Sequence, residues 1–170
     1  MSGRSSEELL AEARRIVGRA RFCVAATASD GSANVRVVQL LDLDADWTAS
    51  FVTSASSRKV EEIRRTGRLA LAFQHDADMA YVALAGRARV DADPATKARV
   101  WVPGLDRWFA AGGSDPDAVV VVLEVERLEM LSLGRGILTE PRGLRAVVVE
   151  RTACRDWVQV PAEPSASTDV

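Results

Sequence analysis

Histidine is nearly absent from this chain, and its scarcity excludes several kinds of catalytic site. The 170 residues include one histidine, His75, so zinc sites that need two or more histidine ligands are excluded. A Ser-His-Asp triad would have to use His75, but the chain has no Gly-x-Ser-x-Gly nucleophile elbow. Because His75 stands in a polar connector between two apolar runs, we predict an exposed loop residue without a catalytic role.

Cysteine and long apolar runs are equally scarce. The two cysteines, Cys23 and Cys154, form no Cys-x-x-Cys pair, which excludes a four-cysteine zinc site and argues against a secreted disulfide framework. Cys23 lies within an apolar run and is predicted to be a small buried hydrophobe. No apolar stretch approaches the roughly 18–20 residues of a membrane span, and the first residues lack the apolar core of a signal peptide. These absences predict a cytoplasmic protein with no metal and no membrane partner.

Neither sign of charge is in excess. The chain has 22 Lys and Arg residues and 24 Asp and Glu residues, which gives a net charge of −2 at pH 7. A basic field that would gather DNA or RNA is absent, so no nucleic-acid partner is expected. The Walker phosphate loop and the Gly-x-Gly-x-x-Gly fingerprint are also missing, so no motif supports dinucleotide binding. The composition that remains, 48% hydrophobic and 27% charged, is typical of one globular domain.

Short apolar segments separated by tight turns predict a mainly β (α+β) protein. Most of these turns, such as the one at Asp30-Gly31, favour neighbouring antiparallel strands. A closed barrel or a sandwich with helices packed outside is the natural architecture. The predicted strands span residues 21–28, 34–43, 47–53, 68–74, 79–90, 119–126 and 144–150. Predicted helical segments after the first strand span residues 58–66, 93–101 and 105–111.

The two ends of the chain differ from its middle. Ser5 and Glu8 have the spacing of a capping box, which predicts a helix within residues 1–20. A main domain is expected over residues 21–150, followed by a C-terminal extension over 151–170. The tail from about residue 161 is polar and rich in proline, and it is predicted to be disordered.

Two cations open the predicted helix over residues 58–66, where the helix dipole disfavours them. The sequence there is Ser57-Arg58-Lys59, and each cation costs about a few tenths of a kcal/mol at that end. A bound anion would resolve the conflict, because free backbone N–H groups, the Ser57 hydroxyl and both cations would converge on it. A phosphate monoester, with a charge of about −1.5 to −2, suits such a site. The alternative is that both side chains are solvated.

Arg36 is a second unusual cation, because it lies in an otherwise mostly apolar strand. An arginine in a buried strand needs an anionic partner. That partner is Asp42, Glu61 or the phosphate inferred for Arg58 and Lys59.

These residues, taken in order, resemble a known family. The strand Arg36-Val-Val-Gln-Leu-Leu41, then Phe51-Val52-Thr53, then Ser57-Arg58-Lys59 and a short helix are similar to the pyridoxamine 5′-phosphate oxidase-like, FMN-binding split barrel. The segment from Trp101 to Asp117 resembles the general stress protein branch of that superfamily. The resemblance runs from about Ala25 to Leu131.

The resemblance implies a six-stranded antiparallel split β-barrel with short flanking helices, which forms a homodimer and binds flavin at the dimer interface. Arg36, Arg58 and Lys59 would hold the FMN phosphate, and Tyr81 would contact the phosphate region across the dimer. The backbone of residues 37–41 would follow the isoalloxazine edge. With Ser57 added from the charge argument, the predicted cofactor-binding residues are Arg36, Val37, Val38, Gln39, Leu40, Leu41, Val52, Thr53, Ser57, Arg58, Lys59 and Tyr81.

The chain also departs from the pyridoxamine phosphate oxidases proper. Those enzymes have a tryptophan after a Glu-aromatic pair and an Arg-x-His element near the C-terminus, whereas this chain has Glu129-Met130-Leu131 and no such element. Oxidation of vitamin B6 is therefore not expected. Trp101, Trp108 and Phe109 form either a hydrophobic lid or a wall of the substrate pocket.

The resulting functional hypothesis is an FMN-dependent oxidoreductase that acts on an unidentified small molecule. The flavin would carry the redox chemistry, NAD(P)H is an open candidate for the electron donor, and no catalytic acid or base is assigned. One alternative is a non-catalytic flavin-binding or stress protein. Another keeps the fold but uses FAD or the deazaflavin F420.

Overall fold

The structure is a computed structural model, and residues 3–139 and 144–161 are described. Beyond Pro161, the tail that we predicted to be disordered lies outside the described residues. The helices are α1 (Ser6–Arg19), α2 (Arg58–Thr66) and α3 (Pro94–Val100). The strands are β1 (Cys23–Ser29), β2 (Ser32–Val38), β3 (Asp42–Leu43), β4 (Thr48–Ser54), β5 (Arg68–His75), β6 (Ala80–Asp91), β7 (Ala118–Ser132), β8 (Val147–Arg151) and β9 (Trp157–Val160).

The prediction of a mainly β protein with an antiparallel sheet is confirmed. Hydrogen-bonded neighbours follow the order β2-β1-β5-β6-β7-β4-β3, and β7 also pairs with β8, which pairs with β9. Antiparallel ladders join β1 to β2 and β5, β4 to β3 and β7, and β8 to β7 and β9. The β1–β2, β3–β4 and β8–β9 pairings follow from short turns, whereas the β1–β5 and β4–β7 pairings join strands that are distant in the sequence.

Three details of the predicted elements are wrong. The strand predicted over residues 34–43 is divided, because β2 pairs with β1 whereas β3 pairs with β4. The final strand, β9, was not predicted, since the turn before it depends on a left-handed Arg155 (φ 68°) that no turn motif signals. Instead of a helix over 105–111, single 3-10 turns form at Pro103–Leu105 and Gly112–Ser114.

Contacts divide the chain into two compact units. The first contains Met1–Ala20, Phe73–Leu84 and Glu126–Val170, and the second contains Arg21–Ala72 and Ala85–Val125. One border lies between α1 and β1, and the other three fall within β5, β6 and β7. The division predicted from the sequence, with domain borders near residues 20 and 150, stays a prediction.

In the second unit, the β1–β2 hairpin has a buried inner face and an exposed outer face. Asp30 and Gly31 both have positive φ (51° and 78°), which matches the type I′ turn that the Asp-Gly pair predicts. Cys23 is buried on the inner face, as predicted, and burial raises the pKa of its thiol to about 12. Phe51 and the first half of β7 complete a buried core. Helix α2 adds Val60 and Ile63 to the buried residues and ends at the left-handed Gly67.

In the first unit, α1 begins with the predicted capping box and buries Leu9, Ala13 and Ile16. The prediction for His75 is wrong, because His75 ends β5 with only 17% of its side chain exposed. Its Nδ1 lies 3.1 Å from Asp78 Oδ2, and its Nε2 lies 3.4 Å from an Arg19 nitrogen. Because the arginine nitrogen can only donate, the geometry assigns the ring proton to Nδ1, where it is donated to Asp78.

Candidate functional site

Arg36 is positioned by the pleat of the hairpin and held by Glu62. Register pairs Arg36 with the buried Ala25, so its side chain starts on the inner face of β2. Its guanidinium donates to Glu62 Oε2 at 2.9 Å, to Thr27 Oγ1 at 2.6 Å and to the Asn34 carbonyl at 2.9 Å.

The carboxylate partners expected for Arg36 are therefore wrong. Asp42 pairs with Arg99 instead, at 3.1 Å, and Glu61 is exposed on α2. One residue along an α-helix is a rotation of about 100°, and this rotation places Glu62 against β1 and β2 while Glu61 faces away. Sequence reasoning missed Glu62, although its position four residues after Arg58 was an available signal for an ion pair.

Glu62 is a buried carboxylate with an unusually complete set of donors. Only 4% of its side chain is exposed, and it accepts hydrogen bonds from Thr27 Oγ1, Asn34 Nδ2 (2.8 Å) and Arg36 (2.9 Å). Arg58 Nε lies 3.5 Å away. The hydrogen bond from Thr27, followed by the hydrogen bond and charge of Arg36, holds the pKa of Glu62 below its usual value. The carboxylate thus stays ionised, holds Arg36 by a hydrogen bond and lies near the exposed Arg58.

Lys59 differs from Arg36 in having no opposite charge beside it. Its Nζ donates to Thr53 Oγ1 at 2.8 Å, and no carboxylate of residues 3–139 and 144–161 forms an ion pair with it. Burial, followed by the charge of Arg36, lowers the pKa of Lys59. Thr53 and Lys59, both predicted site residues, are therefore in direct contact, and Lys59 is a cation that an anion would stabilise.

Ser57 stands at the N-cap of α2 without capping it. Its Oγ atom is buried and has no hydrogen-bond partner within the described part of the chain. Leaving a buried hydroxyl unpaired costs about 1–3 kcal/mol, so the atom is suited to a ligand oxygen. The first backbone N–H groups of any α-helix also have no acceptor inside the helix.

The loop before α2 is fixed by Asp117. The Ala55 N–H donates to the Asp117 carbonyl at 2.7 Å, and the Ser56 N–H lies 3.3 Å from Asp117 Oδ1. A hydrogen bond from Ser54, with further bonds from the Ser56 N–H and hydroxyl, lowers the pKa of Asp117. These hydrogen bonds tie the loop that precedes Ser57 to Asp117.

Arg58 approaches Glu62 on one side and lines a cavity on the other. Its side chain is 70% exposed, and it lines a cavity of about 350 Å³ that we call the α2 cavity. The residues lining the α2 cavity are Ser29, Asp30, Arg58, Glu61, Glu62 and Arg65. Arg65 is already engaged there, since it donates to Asp30 at 3.0 Å and to Ser29 at 2.6 Å.

The donor set fits a phosphate. Arg36, Arg58 and Lys59 supply three cations, and Glu62 balances one of them. Two positive charges remain, together with the unpaired Ser57 hydroxyl and the first turn of a helix, which is a common arrangement for binding anions. We call Arg36, Ser57, Arg58 and Lys59 the cation cluster.

The apolar and backbone positions predicted for the flavin ring lie in the same unit. Val37 is on the outer face of the hairpin, whereas Val38 pairs with the buried Cys23. Residues 39–41 connect β2 to β3 and are half-buried, and the Leu41 N–H donates to the Ser50 carbonyl at 2.9 Å. Val52 packs against a buried cluster of valines from α3 and β7.

Tyr81 lies in the other unit and has a carboxylate partner. Its hydroxyl donates to Glu129 Oε1 at 2.9 Å. Burial, followed by the hydrogen bond to Glu129 and its charge, raises the pKa of Tyr81 to about 12. Tyr81 also lines a cavity of about 470 Å³ with Gln74, Asp76, Met79 and Ala80. Its predicted contact across a dimer stays a prediction.

The three large aromatics near α3 are not equivalent. Trp101 and Phe109 have ring centroids 5.8 Å apart, and Trp101 Nε1 donates to Asp106 at 2.9 Å. Trp108 is 73% exposed. The structure therefore brings Trp101 and Phe109 together and leaves Trp108 facing solvent.

The comparison with protein families decides the membership of this chain. The family model described as pyridoxamine 5′-phosphate oxidase like matches residues 8–132. The chain belongs to this family. A curated relative, general stress protein 26 of Bacillus subtilis (strain 168), is 31% identical over 85 residues, which is 48% of this chain and 60% of that protein. The chain thus spans less than two thirds of that relative's length.

Solved structures share the fold of this pyridoxamine 5′-phosphate oxidase-like protein. A protein of Clostridium acetobutylicum related to general stress protein 26 has a TM-score of 0.71 at 21% identity, with 85% of this chain and 95% of that chain covered. A pyridoxamine 5′-phosphate oxidase-related, FMN-binding protein of Nostoc punctiforme has a TM-score of 0.62 at 15% identity, with 95% and 100% covered. Among the described residues, no helix is long and apolar enough to cross a membrane.

Proposed function

We propose that this protein binds FMN and acts as an FMN-dependent oxidoreductase on a small molecule in the cytoplasm. The observation that carries the proposal is the cation cluster, in which neither a counter-charge for Lys59 nor a partner for the buried Ser57 hydroxyl is found among the described residues. Membership of the pyridoxamine 5′-phosphate oxidase-like family and the fold shared with an FMN-binding protein support it.

The residues of the cluster have different roles in holding the cofactor. Arg58 and Lys59 supply the charge that meets the phosphate, Ser57 supplies a hydroxyl, and Glu62 keeps Arg36 aligned. When bound, the flavin ring accepts and releases the reducing equivalents of the reaction. NADH and NADPH are the candidate electron donors, and Trp101 with Phe109 forms the candidate wall of the substrate pocket.

We also propose that the functional form is a homodimer. The outer face of β2, β1 and β5 is entirely apolar along three cross-strand rows, and Val35 and Val37 are 64% and 66% exposed. An exposed apolar face of this extent suits an interface between proteins. The residues of this outer face are Val24, Ala26, Ala28, Ala33, Val35, Val37, Ala70 and Ala72.

The phosphate assignment is tested by comparing two ligands. The double variant Arg58→Ala, Lys59→Ala should weaken FMN binding at least about tenfold, because each charge-assisted hydrogen bond contributes about 1.5–3 kcal/mol. Riboflavin, which lacks the phosphate, should bind almost as it does to the unmodified protein. Quenching of flavin fluorescence on titration measures both affinities.

The matched control is Arg64→Ala, which removes an exposed cation from the same helix outside the cluster. It should leave both affinities unchanged. Equal losses of FMN and riboflavin in the double variant would contradict the phosphate assignment.

A second candidate function is a non-catalytic flavin-binding stress protein. It is favoured by the match to a general stress protein and by His75 being engaged with Asp78 and Arg19 rather than free for proton transfer. Anaerobic reduction of the flavin-loaded protein by NADH or NADPH, followed by reoxidation with small acceptors, separates the two functions. Absence of reduction by either nucleotide would favour the binding role.

A further inference from the structure

The cavity beside Tyr81 is a second concave surface, and the proposed flavin function does not account for it. Its volume of about 470 Å³ lies within the range of about 300–1,000 Å³ that is typical of small-molecule sites. We call it the Tyr81 cavity, and its lining consists of Gln74, Asp76, Met79, Ala80 and Tyr81. We propose that the Tyr81 cavity binds a small organic cation, namely a protonated amine attached to an apolar or aromatic group.

The Tyr81 hydroxyl can only accept a hydrogen bond from such a ligand. Its single proton is donated to Glu129 Oε1 at 2.9 Å, and a carboxylate has no proton to give in return. The raised pKa of Tyr81, about 12, keeps that proton on the phenol near neutral pH. The lone pairs that remain on the hydroxyl suit an N–H donor, whereas a phosphate contact would require the proton to leave Glu129.

The other polar side chains of the lining are mainly acceptors. The exposed carboxylate of Asp76 accepts a hydrogen bond from Gln74 Nε2 at 2.7 Å, and the amide oxygen of Gln74 is a further acceptor. Apart from the second amide N–H of Gln74, the side chains that line the cavity have no free donor. A ligand that supplies its own N–H groups therefore matches this lining.

The charge of Asp76 is not neutralised by the chain. Within residues 3–139 and 144–161, its side chain bonds only to Gln74. Two cations of α1 reach the same turn, but Arg15 pairs with Asp78 and Arg19 approaches His75. A bound ammonium would supply the missing positive charge.

Glu129, behind Tyr81, adds negative charge that is only partly balanced. The nearest Arg127 nitrogen lies 3.8 Å from Glu129 Oε2, and Arg127 is bonded more closely to Glu150, at 2.6 Å. One arginine thus serves two carboxylates. The surroundings of the cavity favour a cation and disfavour an anion.

The apolar side of the cavity is held by two closely packed turns. Met79 is 62% exposed and has a left-handed backbone (φ 44°). Its N–H donates to the Asp76 carbonyl at 2.9 Å, and its carbonyl accepts from the Leu133 N–H at 3.3 Å. A Cβ atom on Gly134 would lie 3.0 Å from the Asp78 carbonyl oxygen, so glycine permits this approach. The exposed thioether offers an apolar surface, and the tyrosine ring can attract a cation through its face.

The test uses the fact that Tyr81 is the only tyrosine of the chain. Selective isotope labelling of tyrosine in the full chain gives NMR signals that report on this cavity alone. The probes are 2-phenylethylamine, the neutral 2-phenylethanol and the anion 3-phenylpropionate. The amine should shift the Tyr81 ring signals saturably and bind at least about fivefold more tightly than the alcohol. The carboxylate should not bind, and added salt should weaken the amine alone.

Asp76→Asn removes the charge and keeps the shape of the side chain. It should reduce the affinity for the amine to about that for the alcohol. The matched control is Asp156→Asn, which removes an exposed carboxylate of the same unit outside the lining and should leave the affinity for the amine unchanged.

Equal affinities for the amine and the alcohol would overturn the proposal, and so would an affinity for the amine that Asp76→Asn leaves unchanged. Tyr81 signals that respond to added FMN but to none of the three probes would assign Tyr81 to the flavin site instead.

Discussion

At the scale of single residues, the cation cluster depends on a carboxylate that lies among the cations. Glu62 accepts a hydrogen bond from the Arg36 guanidinium at 2.9 Å, and Arg58 Nε lies 3.5 Å from Glu62 Oε1. Side chains fixed in this way lose little further freedom when a ligand binds. The carboxylate thus lowers the total charge of the cluster and holds Arg36 in place.

Replacing Glu62 by glutamine should lower the thermal stability at pH 7, because Arg36 and Thr27 lose their ionised partner. The pKa of Glu62 lies below its usual value near 4.5 in the folded chain, so its ionised form stabilises the fold above the unfolded-state pKa. That contribution is lost as the pH falls through the lower folded-state pKa. The Tm gap between variant and parent should therefore be full at pH 7 and close towards pH 3.

The control is Glu61→Gln, whose Tm should match that of the parent because Glu61 is exposed. A Tm gap for Glu62→Gln that stays constant down to pH 3 would show that the carboxylate charge is not the source of the stability.

The cations could be predicted from the sequence, but the carboxylate that pairs with Arg36 could not. Arg58 and Lys59 break the rule for charges at a helix start, and Arg36 interrupts an apolar strand, so each one stands out locally. Glu62 does not stand out in the sequence, since glutamate is a common residue in helices. Which of two adjacent glutamates faces the sheet depends on how α2 packs, and that information is not local.

At the scale of elements, α1 and α2 begin on serines that behave differently. Ser5 accepts a hydrogen bond from the Glu8 N–H at 3.2 Å and receives the reciprocal bond of a capping box. Ser57 makes no such bond. Ser5 caps α1, whereas the Ser57 hydroxyl is available to a ligand.

This contrast predicts opposite results for two alanine variants. Ser5→Ala should destabilise the ligand-free protein by about 0.5–2 kcal/mol, as loss of a cap does. Ser57→Ala should not destabilise the ligand-free protein, because it removes a buried hydroxyl that has no partner among the described residues. It should weaken FMN binding about tenfold, since a hydrogen bond to a charged group contributes about 1.5–3 kcal/mol. Denaturant unfolding and flavin titration measure the two effects. Equal destabilisation by both variants would show that Ser57 is an ordinary cap.

The elements themselves were predictable wherever a local signal marks both ends. Helix α2 begins and ends where the apolar spacing and Gly67 place it, and the Asp30-Gly31 turn fixes the first hairpin. The break between β2 and β3 carries no such signal, because it occurs where the chain changes its pairing partner. Strand β9 follows a turn whose left-handed residue is an arginine, and that conformation is set by its surroundings.

At the scale of the whole molecule, the exposed outer face and Arg36 of the cation cluster lie on opposite faces of one hairpin. Inner positions of β1 and β2 hold Thr27, Asn34 and Arg36, and the alternate positions carry the exposed valines. If two copies associate through the outer face, the strand that carries Arg36 is fixed by that association. Flavin binding and dimerisation are then expected to depend on each other.

Val37→Lys tests this coupling by placing a charge in the middle of the outer face. The variant should be monomeric by multi-angle light scattering and should bind FMN at least about tenfold more weakly, because a buried unpaired ammonium is costly at an interface. Val158→Lys is the matched control, since it alters an exposed valine of β9 in the other unit. A monomeric variant that still binds FMN tightly would contradict a flavin site at the interface.

The uncompensated charge of Lys59 and the unpaired hydroxyl of Ser57 have a consequence for the life of the protein in the cell. Both groups gain from an anion only in the folded chain. If FMN binds there as proposed, it raises the free energy of unfolding by an amount that grows with the logarithm of its concentration. Copies that have not acquired the cofactor unfold more often and reach proteases sooner. The amount of this protein should therefore follow the supply of the vitamin from which FMN is made, even when its rate of synthesis is constant.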